Sequence, residues 1–187
     1  TDFYGAKITW DQLYHKVTRM ANVLVEKGLK KGDRVGICLP NCPQFVIAFW
    51  AVLMAGGVVV NLNPIYTAEE LEFTFKDAGL TGLVTFDTVL PVVKPLIQKL
   101  NIPLVVVTRL SDFMPVGKVS TEEELGLEPG WLHFSKILET DRRWAPPLVD
   151  IKHDDPAVIQ YTGGTTGVPK GAVLTQFNIV AAAIQVV

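Results

Sequence analysis

The residues best suited to chemistry lie in one short segment, Tyr161 to Gly171, which reads YTGGTTGVPKG. Four glycines, three threonines and one lysine share it. Glycines allow successive backbone N–H groups to converge on one point, which creates an anion-binding concavity. Threonine hydroxyls add donors and Lys170 adds a full charge, and each hydrogen bond to a charged group contributes about 1.5–3 kcal/mol. The segment therefore predicts a loop that holds a polyphosphate.

The spacing within the segment excludes two well-known phosphate-binding motifs. A Walker A loop requires Gly-Lys followed by Ser or Thr, whereas Lys170 follows Pro169 and precedes Gly171. The dinucleotide fingerprint GxGxxG requires separated glycines, whereas Gly163 and Gly164 are adjacent. Taken by itself, a stretch rich in glycine and threonine is also compatible with a plain surface loop.

Alternating helix and strand patterns surround this segment. Short apolar runs bounded by turn residues predict strands at 34–39, 58–62, 81–86, 104–108 and 157–161. Helical spacing of apolar residues predicts helices at 8–27, 43–55, 67–78, 89–100, 131–139 and 174–187. Thr9 with Gln12, and Thr67 with Glu70, have the spacing of capping boxes, and Thr175 is a candidate cap of the last helix. This order predicts an α/β fold with a mostly parallel sheet flanked by helices.

The length of 187 residues predicts a single domain. The stretch 109–150 breaks the alternation, and we expect it to form an irregular excursion across the surface. The longest run without charge, Phe45 to Val60, has sixteen residues and contains Gly56-Gly57. A membrane-spanning helix needs about 20. The run therefore predicts a buried helix, a glycine turn and a buried strand rather than a transmembrane segment.

Composition narrows the functional class. A net charge of −2 and a pI of about 5.9 argue against a nucleic-acid-binding protein. Cys38 and Cys42 are interpreted as small buried hydrophobic residues in a reducing compartment, and His15, His133 and His153 as structural. The N-terminus has no signal-peptide pattern. We expect a cytoplasmic protein, with peripheral association with a membrane left open; its oligomeric state is not readable from the sequence.

The full string YTGGTTGVPKG resembles the signature of the adenylate-forming, or AMP-binding, superfamily, which includes acyl-CoA synthetases, peptide-synthetase adenylation domains and firefly luciferase. Residues 8–71 and 153–167 are similar to the N-terminal region of that superfamily. The segment NPIYT (63–67), together with Gly163 where many members carry serine, most resembles long-chain fatty acyl-CoA synthetases. By this resemblance, residues 1–187 are the N-terminal portion of an AMP-binding domain, the first part of the large domain of an acyl-CoA synthetase-like fold. The C-terminal remainder is absent.

The resemblance implies a two-step reaction. A fatty acid and ATP form an acyl-adenylate and pyrophosphate, and coenzyme A then displaces AMP; Mg²⁺ accompanies ATP. The residues implied to bind the phosphates are Thr162, Gly163, Gly164, Thr165, Thr166, Gly167 and Lys170. Thr165 or Thr166 is the candidate to reach the metal's coordination shell. Residues that perform catalysis are expected beyond Val187, so the 187-residue chain itself is expected to be inactive.

Two alternatives stay open at this point. The parent protein could activate an aryl or amino acid, or the chain could be a short protein that binds a nucleotide or a partner without catalysis. Gln176 stands where many members of the superfamily carry histidine, which leaves the role of that position undecided. Because glycine carries high backbone entropy, the loop 162–170 is expected to be mobile without ligand.

Overall fold

The computed structural model describes residues 2–115, 117–139, 145–162 and 169–186. Its strands are β1 (Asp2–Phe3), β2 (Ala6–Lys7), β3 (Arg34–Cys38), β4 (Val58–Leu62), β5 (Gly82–Phe86), β6 (Leu104–Thr108), β7 (Leu132–His133), β8 (Pro156–Thr162) and β9 (Lys170–Thr175). Its α-helices are α1 (Trp10–Glu26), α2 (Pro43–Met54), α3 (Ala68–Ala78), α4 (Leu90–Leu100), α5 (Phe134–Leu138) and α6 (Gln176–Val186). Short 3₁₀ helices occupy Asp87–Val89 and Leu110–Phe113.

One mixed sheet organises the described residues, in the order β7-β6-β5-β3-β4-β8-β9. Neighbouring strands are parallel except for β8 and β9, which form an antiparallel pair. The chain leaves β3 toward β4 on one side and returns to pair β5 on the other side of β3. Such a reversal is a topological switch point, where α/β proteins place ligands outside the carboxyl ends of the strands.

Helices cover the sheet in two layers. Crossovers between parallel strands are right-handed, so crossovers in opposite directions put α2 and α3 on opposite faces of the sheet. Consistently, α1 packs on α2 and α5, whereas α3 packs on α4. The predicted α/β class, with a mostly parallel sheet flanked by helices, is confirmed.

The sheet itself forms the centre of the core. Parallel strands buried on both faces are near-continuous in apolar residues. The side chains here with at most 1% exposure include Val35, Ile37, Val59, Val60, Leu83, Val84, Val105 and Val106. The charge-free run from Phe45 to Val60 is the buried helix α2, a turn at Gly56-Gly57 and strand β4, as expected. In the part of the chain that the structure describes, no helix combines the length and apolarity that crossing a bilayer requires.

Helix ends confirm the local sequence signals. Thr9 Oγ1 accepts a hydrogen bond from the Gln12 N–H at 3.2 Å, and the Thr9 N–H donates to Gln12 Oε1 at 3.0 Å. The same reciprocal pair joins Thr67 and Glu70 at the start of α3. Gly79, in the left-handed conformation, ends that helix.

Three features of the sheet and its flanks differ from the sequence expectation. The last helix was expected from residue 174, but Leu174 and Thr175 belong to β9, and α6 begins at Gln176. Exposed strand β9 had no sequence signal, because its two faces do not alternate in polarity. The stretch 109–150, expected as a surface excursion, also supplies the parallel strand β7 and the buried residues Leu125 and Phe134.

The capping box of α1 has a measurable consequence for stability. Thr9→Ala removes the hydroxyl that accepts the Gln12 N–H, so we expect the free energy of unfolding to fall by about 1 kcal/mol. Urea titration followed by circular dichroism measures this change. Thr9→Ser keeps the acceptor and serves as the matched control; an equal loss in both variants would show that the cap does not carry the effect.

Candidate functional site

The glycine-rich segment connects two antiparallel strands, β8 and β9. Thr162 ends β8, Lys170 begins β9, and the two are register partners. Because β8 runs parallel to β4, its end lies at the carboxyl edge of the parallel strands. The loop between them therefore leaves the sheet at the edge where the switch point lies.

The structure describes two of the seven predicted phosphate-binding residues. Of the predicted phosphate-binding residues, Thr162 and Lys170 lie at the mouth of the loop, and both side chains are exposed. The predictions for Gly163, Gly164, Thr165, Thr166 and Gly167 lie outside the described residues, and so does the expectation about the mobility of the loop.

A crevice of about 830 Å³ opens beside this hairpin. It lies at the carboxyl ends of β3, β4, β5 and β8, and residues from all four strand ends line it. Apolar walls come from Ile65 and Phe86, and amide side chains come from Asn41, Asn61 and Gln160. A crevice of this size, with apolar walls and several amide groups, is typical of a site for an organic ligand.

Two amides connect the crevice to the hairpin. Asn61 on β4 and Gln160 on β8 are register partners, and Asn61 Nδ2 donates to Gln160 Oε1 at 2.8 Å. Asn61 Oδ1 is buried and has no hydrogen-bond partner among the described residues. Since side chains alternate along a strand, Thr162 points to the same face of the sheet as Gln160. The mouth of the loop and the crevice thus share one face and one edge.

Tyr161 points to the opposite face of the sheet. Its side chain is 6% exposed, and its hydroxyl donates to Asp77 Oδ2 on α3 at 2.5 Å. Burial, followed by the hydrogen bond to the Asp77 carboxylate, raises the pKa of the Tyr161 phenol above its ordinary value. Tyr161 is therefore a neutral, packed hydrogen-bond donor, which agrees with packing rather than with a ligand contact in the crevice.

An ion pair holds the beginning of β8. Lys31 Nζ lies 2.6 Å from Asp155 Oδ2, and the Lys152 N–H donates to the same carboxylate at 2.6 Å. The Lys152 backbone N–H first, and the Lys31 ammonium second, lower the pKa of Asp155. The backbone carbonyl of Asp155 also accepts the Gln176 N–H at 3.0 Å, so one residue anchors both β8 and the start of α6.

Gln176 lies far from the loop. It follows β9 and lies six residues beyond Lys170 at the loop mouth, which is about 20 Å of extended chain. Its side chain lines a second, apolar pocket of about 440 Å³ together with Trp10 and Tyr14 of α1 and Trp50 of α2. The departure from histidine at position 176 therefore falls outside the crevice at the carboxyl edge.

The histidines occupy structural or surface positions. His133 is buried, and its Nε2 lies 2.6 Å from the Ser120 carbonyl oxygen. Because His133 Nδ1 accepts the Lys136 N–H, Nε2 carries the proton and donates to Ser120. His15 lies 3.3 Å from Asp11 on α1, and His153 is exposed. Among the described residues, no group of three or more His, Cys, Asp or Glu side chains is arranged to hold a metal ion.

Sequence reasoning located the loop but missed the crevice. Its lining comes from residues far apart in the sequence, such as Asn41, Asn61 and Gln160. A usable signal was present, because Asn61 interrupts the apolar strand VVVNL and Gln160 interrupts AVIQY. Polar residues in otherwise buried strands mark positions where a strand meets a cavity or a partner.

Comparison with known proteins shows the family to which the chain belongs. The AMP-binding enzyme family matches the chain over residues 2–187. The long-chain-fatty-acid–CoA ligase of Bacillus subtilis (strain 168) is 36% identical over 190 residues, covering 96% of this chain and 34% of that protein. The mitochondrial medium-chain acyl-CoA ligase of Bos taurus is 33% identical over 189 residues, covering 93% of this chain and 30% of that protein.

A solved structure agrees with these relatives. The long-chain-fatty-acid-CoA ligase FadD1 of Archaeoglobus fulgidus superimposes with a TM-score of 0.79 at 27% identity, covering 100% of this chain and 33% of that one. The chain spans about a third of the length of these relatives. It belongs to the AMP-binding enzyme family, and the resemblance to long-chain fatty acyl-CoA synthetases is confirmed.

The two cysteines provide a test that does not depend on activity. Both are free and buried, and burial raises the pKa of the Cys38 thiol to about 12, against a slight opposing effect of the Thr85 hydroxyl. We expect both thiols to resist an aromatic disulfide reagent at pH 8 in the folded protein and to react at once in urea, because the thiolate is the nucleophile. Rapid reaction of the folded protein would contradict the buried placement.

The raised pKa of the Cys38 thiol determines how the stability of the folded protein changes with pH. The unfolded thiol titrates near 9.0 and the folded Cys38 thiol near 12. Over that range the unfolded chain binds fewer protons, so the contribution of Cys38 to stability is complete below about pH 9 and is lost as the pH rises toward 12. Cys38→Ala should flatten this part of the stability profile, measured by urea titration at several pH values.

Proposed function

We propose that the parent protein is an ATP-dependent fatty acyl-CoA ligase and that this chain is its N-terminal portion. The main observation behind the proposal is that the mouth of the loop and the crevice lie at the same place on the sheet. The hairpin mouth, Thr162 and Lys170, opens at the same edge and on the same face as the crevice at the switch point. The similarity to long-chain-fatty-acid–CoA ligases supports the substrate class.

The loop's role follows from the charge that builds during the first step. A carboxylate attacks the α-phosphorus of ATP, the bond from that phosphorus to the bridging oxygen breaks, and pyrophosphate leaves with the electron pair. Backbone N–H groups of Gly163, Gly164 and Gly167, with the hydroxyls of Thr162, Thr165 and Thr166, would hold the β- and γ-phosphates. Lys170, exposed at the mouth, would neutralise the leaving group.

Magnesium enters this proposal as part of the ATP substrate. The described residues offer no carboxylate cluster for a resident ion, whereas the loop's hydroxyls suit the coordination shell of an ion already bound by phosphate oxygens. Thr165 or Thr166 would supply that contact. The ion would withdraw charge from the pyrophosphate as it leaves.

The crevice is the proposed place for an organic portion of a substrate. Its walls combine apolar and amide side chains, and the buried Asn61 Oδ1 can accept a hydrogen bond from a ligand or a water molecule. In the second step the thiol of coenzyme A attacks the acyl carbon and AMP leaves. The described residues contain no candidate base for that step, and we assign the remaining chemistry to the part of the protein beyond Val187.

One relative acts on long-chain fatty acids and another on medium-chain acids by name, and both are about equally similar to this chain. An aryl or amino acid is the alternative substrate, and a non-catalytic nucleotide-binding or partner-binding protein is the alternative class. We propose a cytoplasmic enzyme. Because fatty acids partition into bilayers, the proposal includes peripheral association with a membrane.

The reaction class predicts exchange of labelled pyrophosphate into ATP. We expect the full-length protein to catalyse this exchange only when a fatty acid is present. Lys170→Ala should lower the rate by about 10²-fold, because a donor aimed at developing charge is worth about that much. Lys152→Ala removes an exposed lysine away from the loop and serves as the charge-matched control.

The substrate alternatives give different results in the same assay. Exchange driven by aryl or amino acids, and not by fatty acids, would move the protein to the alternative substrate class. If no acid supports exchange by the full-length protein, the ligase assignment is wrong.

The 187-residue chain should show no such exchange by itself. Charge neutralisation without orientation leaves most of the barrier in place, since orientation contributes about 7–11 kcal/mol. Weak binding of pyrophosphate to the chain should remain, and Lys170→Ala or Thr166→Val should weaken it in calorimetric titration. Fatty-acid-dependent exchange by the purified chain would show that the catalytic groups lie within residues 1–187.

A further inference from the structure

A contact on the far side of the hairpin joins it to the helix layer. The Tyr161 hydroxyl donates to Asp77 Oδ2 at 2.5 Å, and Asp77 lies in the last turn of α3. Within the described residues, this is the side-chain hydrogen bond that connects the β8–β9 hairpin with α3. It faces away from the crevice, because Tyr161 alternates with Gln160 and Thr162 along β8.

Glycine is required opposite this tyrosine. Gly171 is the register partner of Tyr161 on β9. A Cβ atom at position 171 would lie 2.8 Å from Ile159 Cγ2 and 3.2 Å from Tyr161 Cζ. The absence of a side chain at Gly171 therefore leaves the space in which the Tyr161 ring lies against the hairpin and reaches Asp77.

The position of this contact gives it influence over the loop. Tyr161 directly precedes Thr162, and Gly171 directly follows Lys170, so the contact holds both strands one residue from the loop mouth. Strand β9 is an outermost strand of the sheet, and five of its six residues are exposed. Packing on β9 therefore holds the hairpin weakly, and its placement depends on the contacts made through β8.

We propose that Asp77, Tyr161 and Gly171 are positioning residues that set the phosphate loop relative to the crevice. None of the three is assigned a contact with the nucleotide. They act through the strand ends: α3 holds the tyrosine, the tyrosine holds the hairpin, and the hairpin presents Thr162 and Lys170. The inference rests on the proposed function, because it takes the triphosphate of ATP as the ligand of the loop.

The test is the pyrophosphate exchange assay on the full-length protein carrying Tyr161→Phe, Asp77→Ala or both. Tyr161→Phe removes one oxygen and keeps the ring. We expect kcat/KM for ATP to fall about tenfold in each single variant, because a displacement of about 1 Å can cost up to about a hundredfold. The KM for the fatty acid should stay within about twofold, since the crevice face is untouched.

Comparisons among further variants separate positioning from general stability. The double variant should be no worse than the poorer single variant, because both remove the same hydrogen bond. Asp77→Asn should restore most of the activity, because its amide oxygen still accepts from the Tyr161 hydroxyl. Gly171→Ala should reproduce the loss. Thr9→Ala, which weakens the cap of α1 far from the hairpin, is the control for lost stability and should leave the kinetics unchanged.

The outcomes decide between the two explanations. Additive losses in the double variant, equal changes in the KM for both substrates, or an equal loss in Thr9→Ala would overturn the positioning role. If the unchanged protein exchanges with no acid, the proposed function fails, and calorimetric binding of Mg-ATP then tests the inference separately. Weaker binding in Tyr161→Phe supports the positioning role, and equal binding overturns it.

Discussion

The parallel pairing of β4 with β8 is the interaction on which the rest of the site depends. Asn61 pairs with Gln160 in register, although residues 63–155 lie between the two strands. Closing so long a segment costs conformational entropy before any contact repays it. Burial of the apolar faces of both strands supplies the favourable free energy. Val59, Val60, Ala157 and Val158 are at most 3% exposed. Only this pairing brings the loop to the switch point.

Strand β8 is held by a different contact at its start and on each of its two faces. Lys31 holds its beginning through Asp155, Asn61 binds Gln160 on the crevice face, and Asp77 binds Tyr161 on the other face. The ion pair is partly exposed and contributes little to stability by itself. These contacts instead restrict where the hairpin lies, which the proposed phosphate-binding role of the loop requires.

The arrangement also explains why the chain resembles its relatives over its whole length. Under the proposed function, a phosphate loop on an outer hairpin needs the sheet, both helix layers and the crevice beside it. The chain supplies these parts within about a third of the length of its relatives. Under the proposed function, the contacts to the other substrate groups come from the part of the parent protein beyond Val187.

Local physical signals in the sequence determined most of the individual elements. The reciprocal caps at Thr9 and Thr67, the glycine ends and the apolar strands each depend on residues a few positions apart, so the sequence shows them directly. The proposed phosphate loop is also a local pattern of eleven adjacent residues, and its binding role stays a prediction. The tertiary structure alone decided that β9 extends the sheet, that β7 joins it and that Asp77 binds Tyr161. These features depend on residues up to 84 positions apart, and their energy comes from burial and pairing that no local pattern encodes.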